Sequence, residues 1–155
     1  MRIEAPSIHR VGGVSAREEP RRLRCLLYRV NAHTNGSLPI DQCYKMEPAR
    51  RYRGVWVDEF ENQQFIPEGS TAPEWPGAER TLPGWDEQFD RAQAASIWLD
   101  VSRVSLDDHD YRQGGRKMFI EFVGRKTLYP GTYGHLGMSG NEIIVDHVIS
   151  LKALD

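Results

Sequence analysis

The chain has 155 residues, which is enough for one domain with a real hydrophobic core but not for two. Apolar residues make up 39% of the chain and charged residues 27%, a balance typical of a globular protein and not of a disordered one. The net charge of −2 removes the simplest argument for a nucleic-acid-binding protein, which is a strongly basic surface.

The two cysteines, Cys25 and Cys43, are separated by seventeen residues, and the sequence contains no CxxC pair. A zinc ribbon is therefore not indicated. The pair is consistent with a disulfide in an exported protein, and equally with two thiols in a reducing compartment. Because no export signal is visible, we favour the two thiols.

The first fifty residues predict an N-terminal extension that is only partly ordered. Residues 1–20 contain two prolines, two glycines and mixed charges without a period, and residues 22–31 form a short strand-like run. The apolar part of that run is too short for a signal peptide or a membrane span. We therefore expect a soluble, cytoplasmic protein without a membrane span, and an exported form whose signal has been removed stays open.

Residues 51–67 predict a hairpin. β-Branched and aromatic side chains recur over 52–60, a turn follows at Glu61-Asn62, and a second short strand covers 63–66. We expect a bend in the first strand, which lets it serve two sides of a small barrel.

Residues 68–84 contain three prolines, three glycines and no hydrophobic period, so they predict a long loop. Trp75 and Trp85 flank much of this loop, and we expect both rings to cover one end of the core. Trp85 and Phe89 are four residues apart in a segment that begins with acidic residues, which predicts a short helix over 85–95.

Three further segments predict strands. Residues 96–104 alternate apolar and polar side chains, whereas residues 118–123 are apolar on both faces and are expected to be covered on both sides. In residues 142–151 the alternation places His147 on the core face and Asp146 on the opposite face. About five strands, one short helix and no βαβ alternation argue against a parallel Rossmann-type sheet.

The segments YRGVWVDEF, IWLDV, MFIEFVGR and EIIVDHVISLKAL resemble the strands of OB-like small barrels, over residues 50–155. The resemblance implies a mainly β fold, a small five-stranded OB-like barrel with one short helix. It divides the chain into an N-terminal extension, 1–50, and a β-barrel domain, 51–155. Domains of this kind mostly bind single-stranded nucleic acid, oligosaccharide or protein.

The loop at 129–140 is the best candidate for a site. Three glycines between 131 and 137 allow the backbone to approach a ligand closely, and two tyrosines and a histidine supply phenol donors and a titratable group. The alternative is a tight structural turn whose aromatic side chains cap the barrel. The predicted ligand-binding residues are Trp56, Tyr129, Tyr133 and His135.

Other polar clusters are weaker candidates for a functional site. The acidic loop 107–110 lacks the spacing of an EF-hand, and the acidic corner of Asp58, Glu59 and Glu61 predicts a solvated turn. No G-x-S-x-G elbow is present. We predict no metal site and no cofactor.

Our leading hypothesis is a non-enzymatic binding or assembly module. The acidic net charge favours a protein partner over single-stranded nucleic acid. The rival hypothesis is a metal-dependent or hydrolytic enzyme centred on His135, with Glu61 or Glu142 brought near it by the fold. A third possibility is self-association, in which the 1–50 arm reaches a neighbouring copy.

Overall fold

A computed structural model describes residues 40–107, 109, 111 and 116–154. In this part of the chain five strands form a closed barrel in the order β1-β2-β3-β5-β4, with β3 and β5 parallel and the other pairs antiparallel. The prediction of a mainly β fold with a small five-stranded barrel and one short helix is confirmed. The elements are α1 (Ile40–Cys43), β1 (Arg50–Glu59), β2 (Asn62–Pro67), α2 (Trp85–Ala95), β3 (Ile97–Asp100), β4 (Arg116–Lys126) and β5 (Asn141–Leu154).

The predicted hairpin is present as β1 and β2, and β1 also pairs with β4 along its other edge. Gly54 allows β1 and β2 to approach closely. A Cβ on this glycine would lie 2.1 Å from the carbonyl oxygen of Ile66, far inside van der Waals contact. Any larger residue at position 54 would therefore force the two strands apart.

The main core fills the barrel with inward-facing side chains from all five strands. β4 contributes Met118, Ile120 and Phe122, each fully buried. Its outer face is only half-buried, and the Arg53 guanidinium lies 5.5 Å from the centroid of the Phe119 ring. The expectation that β4 is covered on both sides is therefore wrong, because the side chains on one of its faces remain partly exposed.

Two register shifts on β5 change which of its residues face the core. Pairing with β4 passes from Ser150 to Val148 and from His147 to Val145, so that Ile149 and Asp146 are skipped. Each bulge moves the following side chains to the other face of the strand. His147 is exposed, and its predicted position on the core face is therefore wrong.

β3 is shorter than the predicted strand over 96–104. It ends at Asp100, whose Oδ1 accepts a hydrogen bond of 2.9 Å from the backbone N–H of Ser102. An aspartate that bonds the backbone two residues ahead favours a turn over a continuing strand. The alternation of residues 101–104 therefore does not reflect strand structure.

A second apolar cluster lies outside the barrel, where α1 packs against β5. Its buried members are Ile40, Cys43, Tyr44, Tyr133 and Ile144. Cys43 is disulfide-bonded, so the interpretation of the cysteines as two free thiols is wrong. The sequence offers one other cysteine, Cys25, which lies outside the described residues, as do the strand-like run at 22–31 and most of the 1–50 extension.

Ion pairs add to the attachment of α1. Asp41 accepts two hydrogen bonds from the Arg103 guanidinium and lies 3.3 Å from Arg125, which also forms a bidentate pair with Asp146 on β5. Hydrogen bonding from Arg103 lowers the pKa of Asp41 from its ordinary value of 3.8. The described end of the predicted extension is therefore part of the folded unit.

The segment 68–95 crosses the outside of the barrel between β2 and β3. Its first part has neither helix nor strand over 68–84, as predicted, and α2 occupies the predicted range. Trp75 and Trp85 belong to neither core cluster, so the expectation that they cover one end of the core is wrong. None of the helices in the described ranges is long and apolar enough to cross a membrane.

Candidate functional site

Two loops that are far apart in sequence meet on the outside of the barrel. The turn between β1 and β2 presents Glu61, and the loop between β4 and β5 presents His135 in a single 3₁₀ turn over His135–Gly137. Oε2 of Glu61 lies 3.2 Å from Nε2 of His135, within ion-pair range when the imidazole is protonated. We call Phe60, Glu61, His135 and Leu136 the two-loop tip.

The two-loop tip exposes large apolar side chains. Phe60 is 90% exposed and Leu136 is 84% exposed, and each is the chain neighbour of one member of the Glu61–His135 pair. Single exposed apolar residues are common on protein surfaces, so the feature of interest is that both lie on loops joined by the Glu61–His135 contact.

Backbone strain is concentrated at the same two loops. Glu61 has φ 58° and Leu136 has φ 55°, and these are the non-glycine residues with positive φ in the described part of the chain. The left-handed conformation costs an ordinary L-residue about 1–2 kcal/mol. Strain of this kind persists where surrounding structure imposes it, and it is common at binding loops.

Tyr133 holds the base of the 129–140 loop. Its ring is 2% exposed and meets the Tyr44 ring edge to face, with centroids 5.1 Å apart. Its hydroxyl donates a hydrogen bond of 2.8 Å to the Tyr129 carbonyl, and its backbone pairs with Ser139 in both directions. These contacts stabilise a small closed loop with 134–137 at its outer end.

Gly134 and Gln93 fix how that loop lies on the barrel. Gly134 has φ 70° and ψ −162°, a region that only glycine adopts readily, and a Cβ there would lie 2.6 Å from the Trp98 ring. From α2, the Gln93 amide donates to the carbonyl oxygens of Gly131 and Gly137, at 2.9 Å and 3.3 Å. The loop is therefore held against β3 and α2, which sets the position of His135.

The four predicted ligand-binding residues do not share one surface. Trp56 is completely buried inside the barrel and Tyr133 is buried beneath its own loop, so neither side chain reaches solvent. Tyr129 and His135 are half-buried. Of the four, His135 is the one placed at the two-loop tip, while Tyr133 supports the loop from below.

Trp56 belongs to a polar network that closes one end of the core. Its ring stacks on Tyr111 at 5.6 Å, and its Nε1 donates to Gln63 at 3.0 Å. Gln63 and the Tyr111 hydroxyl in turn donate to the two carboxylate oxygens of buried Asp58, at 2.6 Å and 2.8 Å. Burial of the phenol, together with the Asp58 carboxylate, raises the pKa of Tyr111 to about 12. Asp58 is therefore part of a buried structural network, and the prediction of a solvated turn is wrong for Asp58 but right for the exposed Glu59 and Glu61.

The metal chemistry available at the tip is limited. No group of three or more His, Cys, Asp or Glu side chains suited to a metal ion occurs among the residues that the structure describes. The pair of Glu61 and His135 does meet one expectation of the enzyme hypothesis, a carboxylate beside His135. Arg125 of β4 is already paired with Asp41 and Asp146.

Sequence reasoning missed Phe60 and Leu136. Phe60 shares the alternation of Trp56 and Asp58 and therefore looked like a strand residue, but β1 ends at Glu59 and Phe60 begins the turn. Leu136 lies between glycines, and no pattern in the sequence distinguishes an exposed leucine there from a buried one.

Comparison with known proteins gives no match to any family model, to any curated protein or to any solved structure.

Proposed function

We propose that the protein is a non-enzymatic binding module built on an OB-like barrel, and that its ligand is another protein. OB domains are five-stranded barrels that bind ligands with the β2–β3 face and with the loops between β1 and β2 and between β4 and β5. The strand order supports this classification. The same two loops make up the two-loop tip.

The observation that carries the proposal is the contact between Glu61 and His135, which joins two loops that each carry an almost fully exposed apolar side chain. The exposed side chains of Phe60 and Leu136 do not stabilise the folded chain. Burial of such a side chain would stabilise a protein by about 1.5–3 kcal/mol. A partner that covers them would recover that free energy. They are therefore the proposed contact residues, with His135 and Glu61 as polar contacts.

The charge at the tip supports a protein over a nucleic acid. Glu59 and Glu61 are exposed acids on the β1–β2 turn, and they repel phosphate. Arg51 and Arg53 of β1 pair with Glu121, and Arg53 also lies 3.3 Å from Glu68. These arginines are therefore partly neutralised by neighbours within the chain.

The test uses a double variant, Phe60→Ser with Leu136→Asn, since asparagine tolerates the left-handed backbone. A partner is first sought by affinity capture with wild-type protein and is then purified for calorimetry. We expect its affinity to fall about 30-fold in the double variant, the loss of a hot spot of about 2 kcal/mol. Ile149→Ser, which removes a half-exposed apolar side chain on β5, is the control and should leave the affinity unchanged.

Two results would contradict the proposal. One is a purified partner that binds the double variant as tightly as the wild type. The other is binding of a single-stranded oligonucleotide whose affinity falls steeply with salt concentration, which would replace the protein partner with nucleic acid.

A second candidate is a metal-dependent or hydrolytic enzyme centred on His135, favoured by the solvent-accessible contact with Glu61. Elemental analysis of purified protein, with thermal-shift screening of wild type and His135→Ala, separates the two. A bound metal that is lost in the variant would support the enzyme. Absence of metal together with an unchanged ligand response would exclude it.

A further inference from the structure

The segment 68–95 carries three aromatic rings outside the barrel core. The Trp85 and Phe89 rings stack on α2 with centroids 5.2 Å apart, and the Trp75 ring meets Phe89 edge to face at 5.4 Å. None of the three is buried, and Trp75 is 37% exposed. We call these three residues the aromatic ladder.

The ladder is held in place by contacts within its own segment. Nε1 of Trp85 donates to the Gly77 carbonyl at 2.7 Å, and the Gln88 amide donates to the Glu74 carbonyl at 3.3 Å. Ala92 is the buried residue of α2. The helix therefore carries its aromatic side chains at the surface, and the residue that it buries is a small one.

The surroundings of the ladder are strongly acidic. The segment 68–95 contains six acidic residues and two arginines, a net charge of −4, in a chain whose net charge is −2. All eight charged residues are exposed. Glu68 pairs with Arg53 of the barrel, which leaves five acids in the same segment as the ladder, at positions 74, 79, 86, 87 and 90.

One ring of the ladder already contacts a cation. The Arg80 guanidinium lies 5.6 Å from the centroid of Trp85, within the range of a cation–π contact. Trp75 has similar chemistry and more exposed surface. Glu74, the chain neighbour of Trp75, lines a cleft of about 250 Å³ together with Thr71, Pro73, Gln88 and Arg91. This cleft adjoins a second one of about 440 Å³ toward the end of β2.

We propose that the aromatic ladder docks a basic segment of a partner protein, with an arginine or lysine side chain over Trp75 and the neighbouring chain in the cleft. The carboxylates attract and orient the cationic segment, while the indole face provides the specific contact. This surface is distinct from the two-loop tip and does not depend on the function proposed for it.

The probe is a fluorescein-labelled octapeptide of alternating arginine and glycine, and its binding to the full chain is followed by fluorescence anisotropy. Matched peptides carry lysine, glutamine or glutamate in place of arginine. We expect saturable binding of the arginine peptide, weaker binding of the lysine peptide because arginine also stacks on aromatic faces, and no binding of the other two.

Two sets of variants test the ladder itself. Trp75→Leu should weaken the arginine peptide about fivefold, which corresponds to an exposed cation–π contact of about 1 kcal/mol. The double variant Glu74→Gln with Glu79→Gln should weaken it without altering the aromatic rings. Glu47→Gln with Asp107→Asn, which removes two acids outside the segment, is the matched control and should keep wild-type affinity.

Several results would overturn the proposal. These are failure of wild-type protein to bind the arginine peptide, equal binding of the glutamine peptide, or unchanged affinity in Trp75→Leu. An equal loss of peptide affinity in the Glu74/Glu79 double variant and in the Glu47/Asp107 control would indicate a general charge effect. A dimer in sedimentation experiments that Trp75→Leu dissociates would indicate a second copy of this chain as the occupant.

Discussion

Two tryptophans in the described part of the chain, Trp56 and Trp85, each stack on another ring and share the same local chemistry in opposite surroundings. Inside the barrel, Trp56 stacks on Tyr111 and donates its indole N–H to Gln63. On the outer segment, Trp85 stacks on Phe89 and donates its indole N–H to the Gly77 carbonyl. Both indoles have a polar partner and a ring partner, but Trp56 is completely buried and Trp85 is not.

The difference shows where aromatic side chains stabilise the fold and where they are free for another role. The inner pair is surrounded by core residues and by the Asp58 network, so its loss leaves a cavity and unpaired polar groups. The outer pair contacts its own segment and solvent. A binding role needs an accessible ring, which the outer pair has, whereas Trp56 of the inner pair is completely buried.

The largest expected effect is on stability, from Trp56→Ala. We expect the free energy of unfolding to fall by about 3–5 kcal/mol, the usual cost of deleting a buried large aromatic side chain. Trp85→Ala should cost about 1 kcal/mol, because its ring is half-exposed. Urea denaturation followed by circular dichroism measures both, and equal costs would remove the distinction between the two pairs.

The next effect is the response of the inner pair to alkaline pH. The folded protein raises the pKa of Tyr111 from its ordinary value of 10.0 to about 12, through burial first and then through the Asp58 carboxylate. Between pH 10 and 12 the unfolded chain releases this proton while the folded chain retains it. The free energy of unfolding should therefore fall over that range, by about 2 kcal/mol.

Tyr111→Phe isolates this contribution. Burial also raises the pKa of Tyr52, so some alkaline loss of stability should persist in the variant. We expect the stability curves of wild type and variant to converge as the pH rises from 10 to 12. A constant difference between them over that range would contradict the assignment to Tyr111.

Much of the barrel could be predicted from sequence because alternation and turn residues specify local structure. The β1–β2 hairpin and α2 were predicted within a few residues. The middle of β5 was not, since Val148 and not His147 faces the core there. The two bulges responsible arise from pairing with β4 and leave no mark in the alternation itself. Burial of Asp58 also depends on a residue distant in sequence, Tyr111, which bonds it across the fold.

The candidate site was predicted only in part, and for the same reason. Its loop was predicted from its glycines and His135. Glu61, which lies beside His135, was one of the two carboxylates expected there. Exposure of Phe60 depends on where β1 ends. Burial of Tyr133 depends on α1, which packs over it from outside the predicted barrel domain. Contacts of this kind are set by tertiary structure, so local patterns do not encode them.

The smallest expected effect has the opposite sign and concerns the exposed tip. Leu136 is strained at φ 55° and its side chain is 84% exposed, so Leu136→Gly removes the strain and loses little packing. The added flexibility of glycine in the unfolded chain offsets part of this gain, and we expect a net stabilisation of about 0.5–1 kcal/mol. Leu136→Ala keeps the strain and should give no such gain in thermal or urea denaturation. Equal stability of the glycine and alanine variants would show that the backbone at 136 carries no strain.

The same glycine variant connects stability with binding at the tip. If Leu136→Gly stabilises the protein and also weakens binding of a purified partner, Leu136 serves recognition at the expense of stability, in contrast to Trp56.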